Sequence, residues 1–434
     1  MRRGCLVLHK HMQLLWTVNK QWHSTAALYV HWPYCKRRCT YCNFNKYIDK
    51  SVDHQRMKSC LIKEAETLMC VAGVKEITSV FFGGGTPSLA KPETIQSFLD
   101  AVCHKVYVSD TSEISMEINP TFLEVNNLRL FKSAGVNRVS IGVQTLNEAG
   151  LQILGRDHTA EESLRCLEMA NSLFPGRVSV DLIFGWPGQT LDMWLSELDQ
   201  MLSYCGNHMS LYQLTFERGT QLFKQIQSRN LIAVDSSVVE DMYLQAVNML
   251  ASRGFERYEV SNFARQKCYS QHNLSYWTGH QYIGVGPGAH GRFKPVQKDF
   301  REARIQTLEP NNWMWEVEHC GHATRKSTAL NIFQQLEELL AVGLRIKWGI
   351  ASDVRSRIHP ERSLAEMLLP SSDVEDLVHR GLLIFNGDPI GSELRASDEG
   401  INVIDSMLPV LFNSLENGYR STCDKAVENE PKGA

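Results

Sequence analysis

Leu28-Tyr29-Val30-His31-Trp32-Pro33-Tyr34-Cys35, followed after three residues by Cys39-Thr40-Tyr41-Cys42, is the stretch from which the rest of the chain is read. Leu28–Trp32 is an apolar, aromatic run of strand type, and directly behind it Cys35, Cys39 and Cys42 share one short loop spaced Cys-x3-Cys-x2-Cys. Three thiolates are one short of the four that usually ligate a four-iron cluster, so such a set leaves an iron open to an outside ligand. Zinc is the main alternative and wants a closed tetrahedral site. His31 is the one nearby fourth ligand, and no second Cys-x2-Cys follows. A redox pair of Cys39 and Cys42 leaves Cys35 unexplained.

Outward from this loop, further strand candidates recur at Thr78–Phe82, Glu113–Ile118, Arg138–Val143, Val178–Phe184 and Ser210–Leu214. Amphipathic stretches near 53–72, 91–106, 124–133, 161–173 and 190–203 lie between them, and helices near 220–229 and 237–252 follow. This alternation predicts parallel βαβ units. Six repeats are too few for a closed eightfold barrel and suit an α/β fold with an open, partial (β/α)6 TIM-type barrel. Chemistry in such folds sits at the C-terminal ends of the strands. The unusual residues fall there: the cysteine loop, then Gly83-Gly84-Gly85-Thr86-Pro87, Glu117 with Asn119-Pro120, Gln144, and Asp181 ahead of Phe184-Gly185-Trp186-Pro187-Gly188. The glycine turn lacks the Lys-Ser/Thr of a P-loop and is not a Gly-x-Gly-x-x-Gly opening a helix, so neither nucleotide fold is expected.

The expected organisation is a presequence over 1–26, the barrel over 27–257, a connecting segment over 258–325 and a C-terminal domain over 326–417. The connecting segment reads as loop-rich to Arg292, then as an irregular excursion with Trp313 and Trp315. Helices near 332–344, 363–369 and 373–380, a strand–turn–strand centred on Asn386-Gly387-Asp388-Pro389, and a helix near 399–415 predict an α+β, winged-helix-like domain. The polar tail over 418–434 is expected to be disordered.

The 434 residues carry a formal net charge of −3, which gives nucleic acid no electrostatic support as a partner. No apolar run reaches the length of a membrane span. Twelve cysteines would be many for a cytosolic enzyme, but disulfide scaffolds belong to short secreted chains. Cys60, Cys70 and Cys166 sit among apolar neighbours and read as small buried thiols. Arg2, Arg3, Lys10 and Lys20 precede the first acid, Asp49, and alternate with apolar residues. That pattern predicts a mitochondrial transit peptide; a frayed cytosolic N-terminus is the alternative, and a secretory signal fits less well because charges interrupt the apolar stretch.

Tyr29–Cys35 with Cys39-Thr40-Tyr41-Cys42 resembles the radical SAM superfamily, and within it the group of oxygen-independent coproporphyrinogen III oxidases and HemW-type haem chaperones. The resemblance runs from about Leu28 to Leu340, and more weakly to about 405. It implies a 4Fe-4S cluster on Cys35, Cys39 and Cys42, with S-adenosyl-L-methionine chelating the open iron. By the same resemblance Tyr29 is an aromatic ligand before the cluster, and Tyr41 an adenine-side contact. Gly84, Gly85 and Thr86 are the turn approaching the methionine end, where glycine permits close backbone approach and free N–H groups can receive a carboxylate. Glu117, Gln144, Arg156 and Asp181 match the polar set around the cofactor.

The chain departs from the oxidase pattern at Phe44, where a fourth cysteine would stand, and only a presequence-like 28 residues precede the cluster strand. Both differences point to the haem-chaperone branch. His272-Asn273-Leu274-Ser275-Tyr276-Trp277, inside the connecting segment, resembles the haem-binding motif of that branch. His272 could take an axial position beside flat Tyr276 and Trp277; the alternative is a loop that caps the barrel mouth. His290 is a weaker candidate, expected in a turn. The resemblance implies a haem carrier whose partners are haem, haem-accepting proteins and an electron donor if the cluster is reduced. A radical enzyme that cleaves S-adenosylmethionine is the rival from another class, and DNA binding through the C-terminal domain the weakest.

Overall fold

In the computed structural model, which describes residues 24–385 and 392–428, six strands stand parallel in chain order. They are β1 (Thr25–Trp32), β2 (Glu76–Gly84), β3 (Tyr107–Ile118), β4 (Arg138–Gln144), β5 (Val178–Phe184) and β6 (His208–Gln213). All but one residue of β1 is buried, as expected of a parallel strand covered on both faces. The expected presequence lies outside the described residues except for its last three, and Thr25 and Ala26 already belong to β1.

Helices return the chain between strands: α1 (His54–Ala72), α2 (Pro92–Lys105), α3 (Phe122–Ser133), α4 (Ala160–Leu173), α5 (Leu191–Leu202) and, after β6, α6 (Ser236–Ser252). Their ends are written locally. Asp53 caps α1 by accepting from the Arg56 amide, and Gly73 closes it in the left-handed conformation, where a Cβ would be strained. Thr159 and Glu162 form a capping box on α4. The open (β/α)6 barrel expected from the alternation is the fold.

Residues 258–325 are different from the expectation. Instead of an irregular excursion they extend the barrel sheet at both edges. With β7 (Glu256–Arg257), β8 (Asn262–Ala264) runs antiparallel to β6. On the other side, β9 (Tyr282–Val285) pairs parallel with β1, and β10 (His290–Phe293), β11 (Arg301–Gln306) and β12 (Thr324–Leu330) continue antiparallel. Among the described residues the sheet has twelve strands, in the order β12-β11-β10-β9-β1-β2-β3-β4-β5-β6-β8-β7. Most of the added strands are only two to four residues long, and β11 buries the polar Glu302, Arg304 and Gln306, so apolar alternation did not reveal them. The tryptophans lie on a helix over Pro310–Cys320, where Trp313 is buried and donates to Glu64 at 3.0 Å.

The C-terminal unit has its own core, including Leu336, Leu340, Val354, Leu368, Leu394 and Leu411. Three short antiparallel strands, Ile350–Ala351, Leu383–Phe385 and Ser392–Ala396, pack with helices Ile332–Gly343, Leu364–Leu368 and Ser372–His379. The turn at Asn386–Pro389 lies outside the described residues. The final helix runs over Ile404–Glu428, so the stretch from 418 to 428, expected as a disordered tail, is helical. Among the described residues no helix is long and apolar enough to cross a membrane.

Candidate functional site

The cysteine loop is anchored by contacts to the barrel and to its own flanks. Tyr34–Cys35 pairs with Tyr47–Ile48 in a two-residue parallel bridge, and the Tyr47 amide donates to Pro33 at 2.7 Å. Midway round, Thr40 is pinned from three sides: its amide and hydroxyl donate to Leu154 and Ile153, and its carbonyl accepts from Leu222. Cys35, Cys39 and Cys42 are free thiols; Cys35 is buried, and Cys39 and Cys42 are half-buried. Cys60 and Cys166 are buried as expected, whereas Cys70 is exposed.

The loop forms one wall of a cavity of about 600 Å³ at the C-terminal end of the barrel. All three cysteines line it, together with Tyr41, Gly84, Gly85, Thr86, Glu117, Gln144, Arg156 and Asp181. Eight scattered or weak sequence signals thus converge on one space with the three cysteines. Two thiols already receive hydrogen bonds: Thr86 Oγ1 donates to Cys35 Sγ at 3.3 Å, and Arg156 Nη1 to Cys39 Sγ at 3.4 Å. Burial pushes the Cys35 thiol up to about 11, partly offset by Thr86 and by the Lys46 charge. His31 is not a spare zinc ligand. Its Nδ1 is 3.0 Å from the Tyr29 hydroxyl and its Nε2 2.8 Å from the Asn45 carbonyl, so both ring nitrogens are occupied.

The glycine turn contributes by close approach rather than by amide donation. Its N–H groups are already used: Gly84 donates to Glu117 Oε2 at 3.0 Å, Gly85 to the Trp32 carbonyl at 2.7 Å and Thr86 to the Tyr34 carbonyl at 2.9 Å. Free amides for a carboxylate were expected there, and the knitting of the turn to β1 and Glu117 removes them. A Cβ at Gly85 would stand 2.8 Å from backbone atoms of Trp32 and Pro33, and Gly84 holds φ +108°.

The polar set is half-buried and incompletely satisfied. Burial, and secondarily Asp181, pushes the Glu117 carboxyl up to about 8; burial pushes Asp181 up to about 6. Ser140 donates to Asp181 Oδ2 at 2.8 Å, while Asp181 Oδ1 is buried with no partner. Arg156 reaches Asn119 Oδ1 at 2.7 Å and the Gly142 carbonyl at 3.2 Å, and its Nε is likewise buried without a partner. An orphaned acceptor and an orphaned donor in one cavity wall are what a zwitterionic, polar ligand would satisfy. Gln144 holds φ 68° at the end of β4, a left-handed conformation rare outside glycine and common at functional rims. Three free thiols on an anchored loop and this polar wall fit a 4Fe-4S cluster with S-adenosylmethionine: Cys35, Cys39 and Cys42 would hold the one, and the glycine turn, Glu117, Arg156 and Asp181 the other.

Two expected site residues lie elsewhere. Below the large cavity is a chamber of about 190 Å³ that shares Glu117, Ser140, Asp181 and Tyr212 with it. Tyr29 lines only this lower chamber, with its hydroxyl on His31. His272 lines it too, on a helix (Gln271–Trp277) and not in a loop, and only 1% exposed. Its Nδ1 is 2.9 Å from Ser79 Oγ, its Nε2 2.7 Å from the Tyr276 hydroxyl, and its ring stacks on Phe81 at 5.0 Å. Neither nitrogen is open, and the chamber is smaller than pockets that enclose drug-sized ligands, about 300–1,000 Å³. His290 is exposed on β10, in a strand and not a turn.

Asn119, noted in the sequence only as a feature of the barrel rim, was not assigned to the cofactor set. It accepts from Arg156 and donates to Thr86 Oγ1 at 3.2 Å, so Arg156, Asn119, Thr86 and Cys35 form one chain of hydrogen bonds. The signal was its place two residues beyond Glu117, at the end of β3. Ser140 was also missed, although Ser140, Gly142 and Gln144 share one face by the two-residue period of β4.

An open parallel barrel with a three-cysteine loop beyond its first strand and a glycine turn beyond its second is the architecture of radical S-adenosylmethionine proteins. The family profile described as Radical SAM superfamily matches residues 29–201. Over 92% of this chain and 89% of the relative, the sequence is 49% identical to the mouse (Mus musculus) protein named radical S-adenosyl methionine domain-containing protein 1, mitochondrial. It is 33% identical to the Escherichia coli heme chaperone HemW, over 83% of this chain and 96% of that protein. The chain belongs to the radical SAM superfamily, in the group these relatives define. Among solved structures, coproporphyrinogen III oxidase (HemN) from Escherichia coli superposes with a TM-score of 0.72 over 92% of each chain; at 19% identity this shows the common fold.

Proposed function

We propose that the protein is a mitochondrial haem chaperone that binds haem and passes it to acceptor proteins. The observation that carries this is the 33% identity to HemW across nearly the whole of that chaperone. Phe44 supports it, since the position where the oxidase pattern has a fourth cysteine is here an exposed aromatic at the cavity rim. The relatives named mitochondrial and the basic, acid-free N-terminus support the location. Cys35, Cys39 and Cys42 hold a 4Fe-4S cluster, with S-adenosylmethionine on its open iron. When bound and reduced, the cluster supplies one electron at low potential. The protein's own residues shield that site: the glycine turn brings backbone close, Glu117 and Asp181 face a cationic sulfonium, and Arg156 steadies Cys39. Haem rests outside the lower chamber, which is too small for it. An electron donor and haem-accepting proteins are the partners.

A second reading is favoured by the cofactor cavity itself, which keeps a full polar wall: a radical enzyme turning over S-adenosylmethionine. One experiment separates them. The anaerobically reconstituted, dithionite-reduced protein is given S-adenosylmethionine with coproporphyrinogen III, and in parallel is titrated with haem. A saturating Soret band with no more than stoichiometric 5′-deoxyadenosine is expected. Many turnovers to protoporphyrinogen would sink the chaperone assignment.

A further inference from the structure

Lys46 is buried, 5% exposed, and its amine makes no hydrogen bond or ion pair among the described residues. The stem is enclosed while the charged head keeps access to open space, as long basic side chains do. The side chain opens onto the large cavity beside Cys35, whose thiol feels its charge. Its neighbours hold it there. Asn45 donates from Nδ2 to the Pro287 and Leu308 carbonyls, both at 2.9 Å, and accepts from His31 through its own carbonyl. Tyr47 is locked in the bridge to Tyr34.

None of the acids around the cavity is paired with it: Glu117 accepts from the Gly84 amide and Asp181 from Ser140. Glu124 is taken by Ser88, by Thr121 and by the Asn119 amide. Asp157 and Glu217 are exposed at the mouth. Arg156, the half-buried cation of the cavity, is already on Cys39.

We propose that Lys46 is the internal counter-ion of the iron–sulfur cluster on Cys35, Cys39 and Cys42, placed to stabilise its reduced state. One-electron reduction adds a negative charge to a site of low dielectric, where a fixed ammonium nearby is worth far more than in water. Cluster potentials are set by net charge, hydrogen bonds to sulfur and solvent exposure. Thr86 and Arg156 supply the hydrogen bonds, and Lys46 supplies the charge. Together they raise the potential towards the reach of an external donor.

The inference rests on the cysteine loop holding the cluster, and the two fail separately. The test uses the full chain reconstituted anaerobically with iron and sulfide, as wild type, Lys46→Met, Lys46→Gln and Lys46→Arg. Iron and sulfide are counted per chain. Dithionite reduction is then followed by electron paramagnetic resonance across a series of fixed potentials. The expected result is equal cluster content, a midpoint moved to more negative potential in Lys46→Met and Lys46→Gln, and its recovery in Lys46→Arg. Loss of cluster from folded Lys46→Met with recovery in Lys46→Arg supports the same charge requirement. An unchanged midpoint in both neutral variants overturns the proposal. So does a fall in S-adenosylmethionine affinity without a midpoint shift, which would give the amine to a ligand carboxylate. A wild-type chain that takes up no cluster removes the underlying site as well.

Discussion

His272 Nε2 lies 2.7 Å from the Tyr276 hydroxyl one helical turn on, and the two rings meet edge to face at 4.9 Å. With Ser79 on the other nitrogen, the imidazole is a three-residue clasp inside the barrel. Burial lowers its pKa to about 3, so it stays neutral. His272→Ala should leave two buried hydroxyls without a partner and a void against Phe81, costing about 2–4 kcal/mol of stability. Haem should still bind with the wild-type Soret position and stoichiometry. A denaturant series checks the first expectation and a haem titration the second; a lost or displaced Soret band in a folded variant would return His272 to the ligand list.

The acid pair beneath the cofactor cavity makes ligand binding pH-dependent. Glu117 is raised from 4.5 to about 8 and Asp181 from 3.8 to about 6, chiefly by burial. A raised folded-state pKa means that the folded protein holds protons the unfolded chain has released. Stability from Glu117 is therefore full below about 4.5 and is lost as pH rises through about 8. Cationic S-adenosylmethionine has the opposite preference, since it favours the ionised carboxylates. Its affinity should increase from pH 6 to pH 9, with proton release on binding near neutral pH. Calorimetry in two buffers of different ionisation enthalpy measures that release, and Glu117→Gln should remove most of it.

The barrel was legible because β1 to β6 are apolar runs with polar or glycine ends, and each end contributes to one cavity. The same logic put Glu117, Gln144 and Asp181 at the rim, where they line that cavity; Arg156, named by the resemblance alone, lines it too. What was not legible depended on contacts across long separations. His272 looked like an open loop ligand until Ser79, far away in sequence, occupied its second nitrogen. The strand Arg301–Gln306 was hidden because Glu302, Arg304 and Gln306 are polar yet buried, held by partners that alternation does not encode. Lys46 was overlooked because a lysine in a loop is ordinarily solvated, and only its burial marks it.

Gly85 is where the glycine turn packs against the backbone of the cluster strand. A methyl group there would stand 2.8 Å from the Trp32 carbonyl and the Pro33 backbone, atoms that cannot swing aside. The Gly85 amide would also lose its 2.7 Å bond to Trp32 as the strands part. Gly85→Ala should destabilise the fold by about 1–3 kcal/mol, in the range of core overpacking. Because the displaced backbone leads into Thr86 and Cys35, cluster content should fall with it. Thermal unfolding and iron analysis on one preparation report both effects; a stable variant with full iron would show that the turn is looser than its contacts imply.

Arg156 links the rest of the polar wall to the cluster loop. Its two terminal nitrogens reach Cys39, Asn119 and the Gly142 carbonyl at once, a spread that a lysine ammonium cannot match. Arg156→Lys keeps the charge and should keep the fold, but it should leave either Asn119 or Cys39 without a donor. Arg156→Ala loses both, and the stranded buried acceptors should cost about 1–3 kcal/mol. Cluster retention after gel filtration should therefore rank wild type above Arg156→Lys above Arg156→Ala. Asn119→Ala cuts the link from Arg156 to Thr86 and leaves Arg156 on Cys39, so it should weaken retention less than Arg156→Ala. Equal retention in all four proteins, at equal folded fraction by circular dichroism, would mean that the thiol loop holds its cluster without help from the barrel wall.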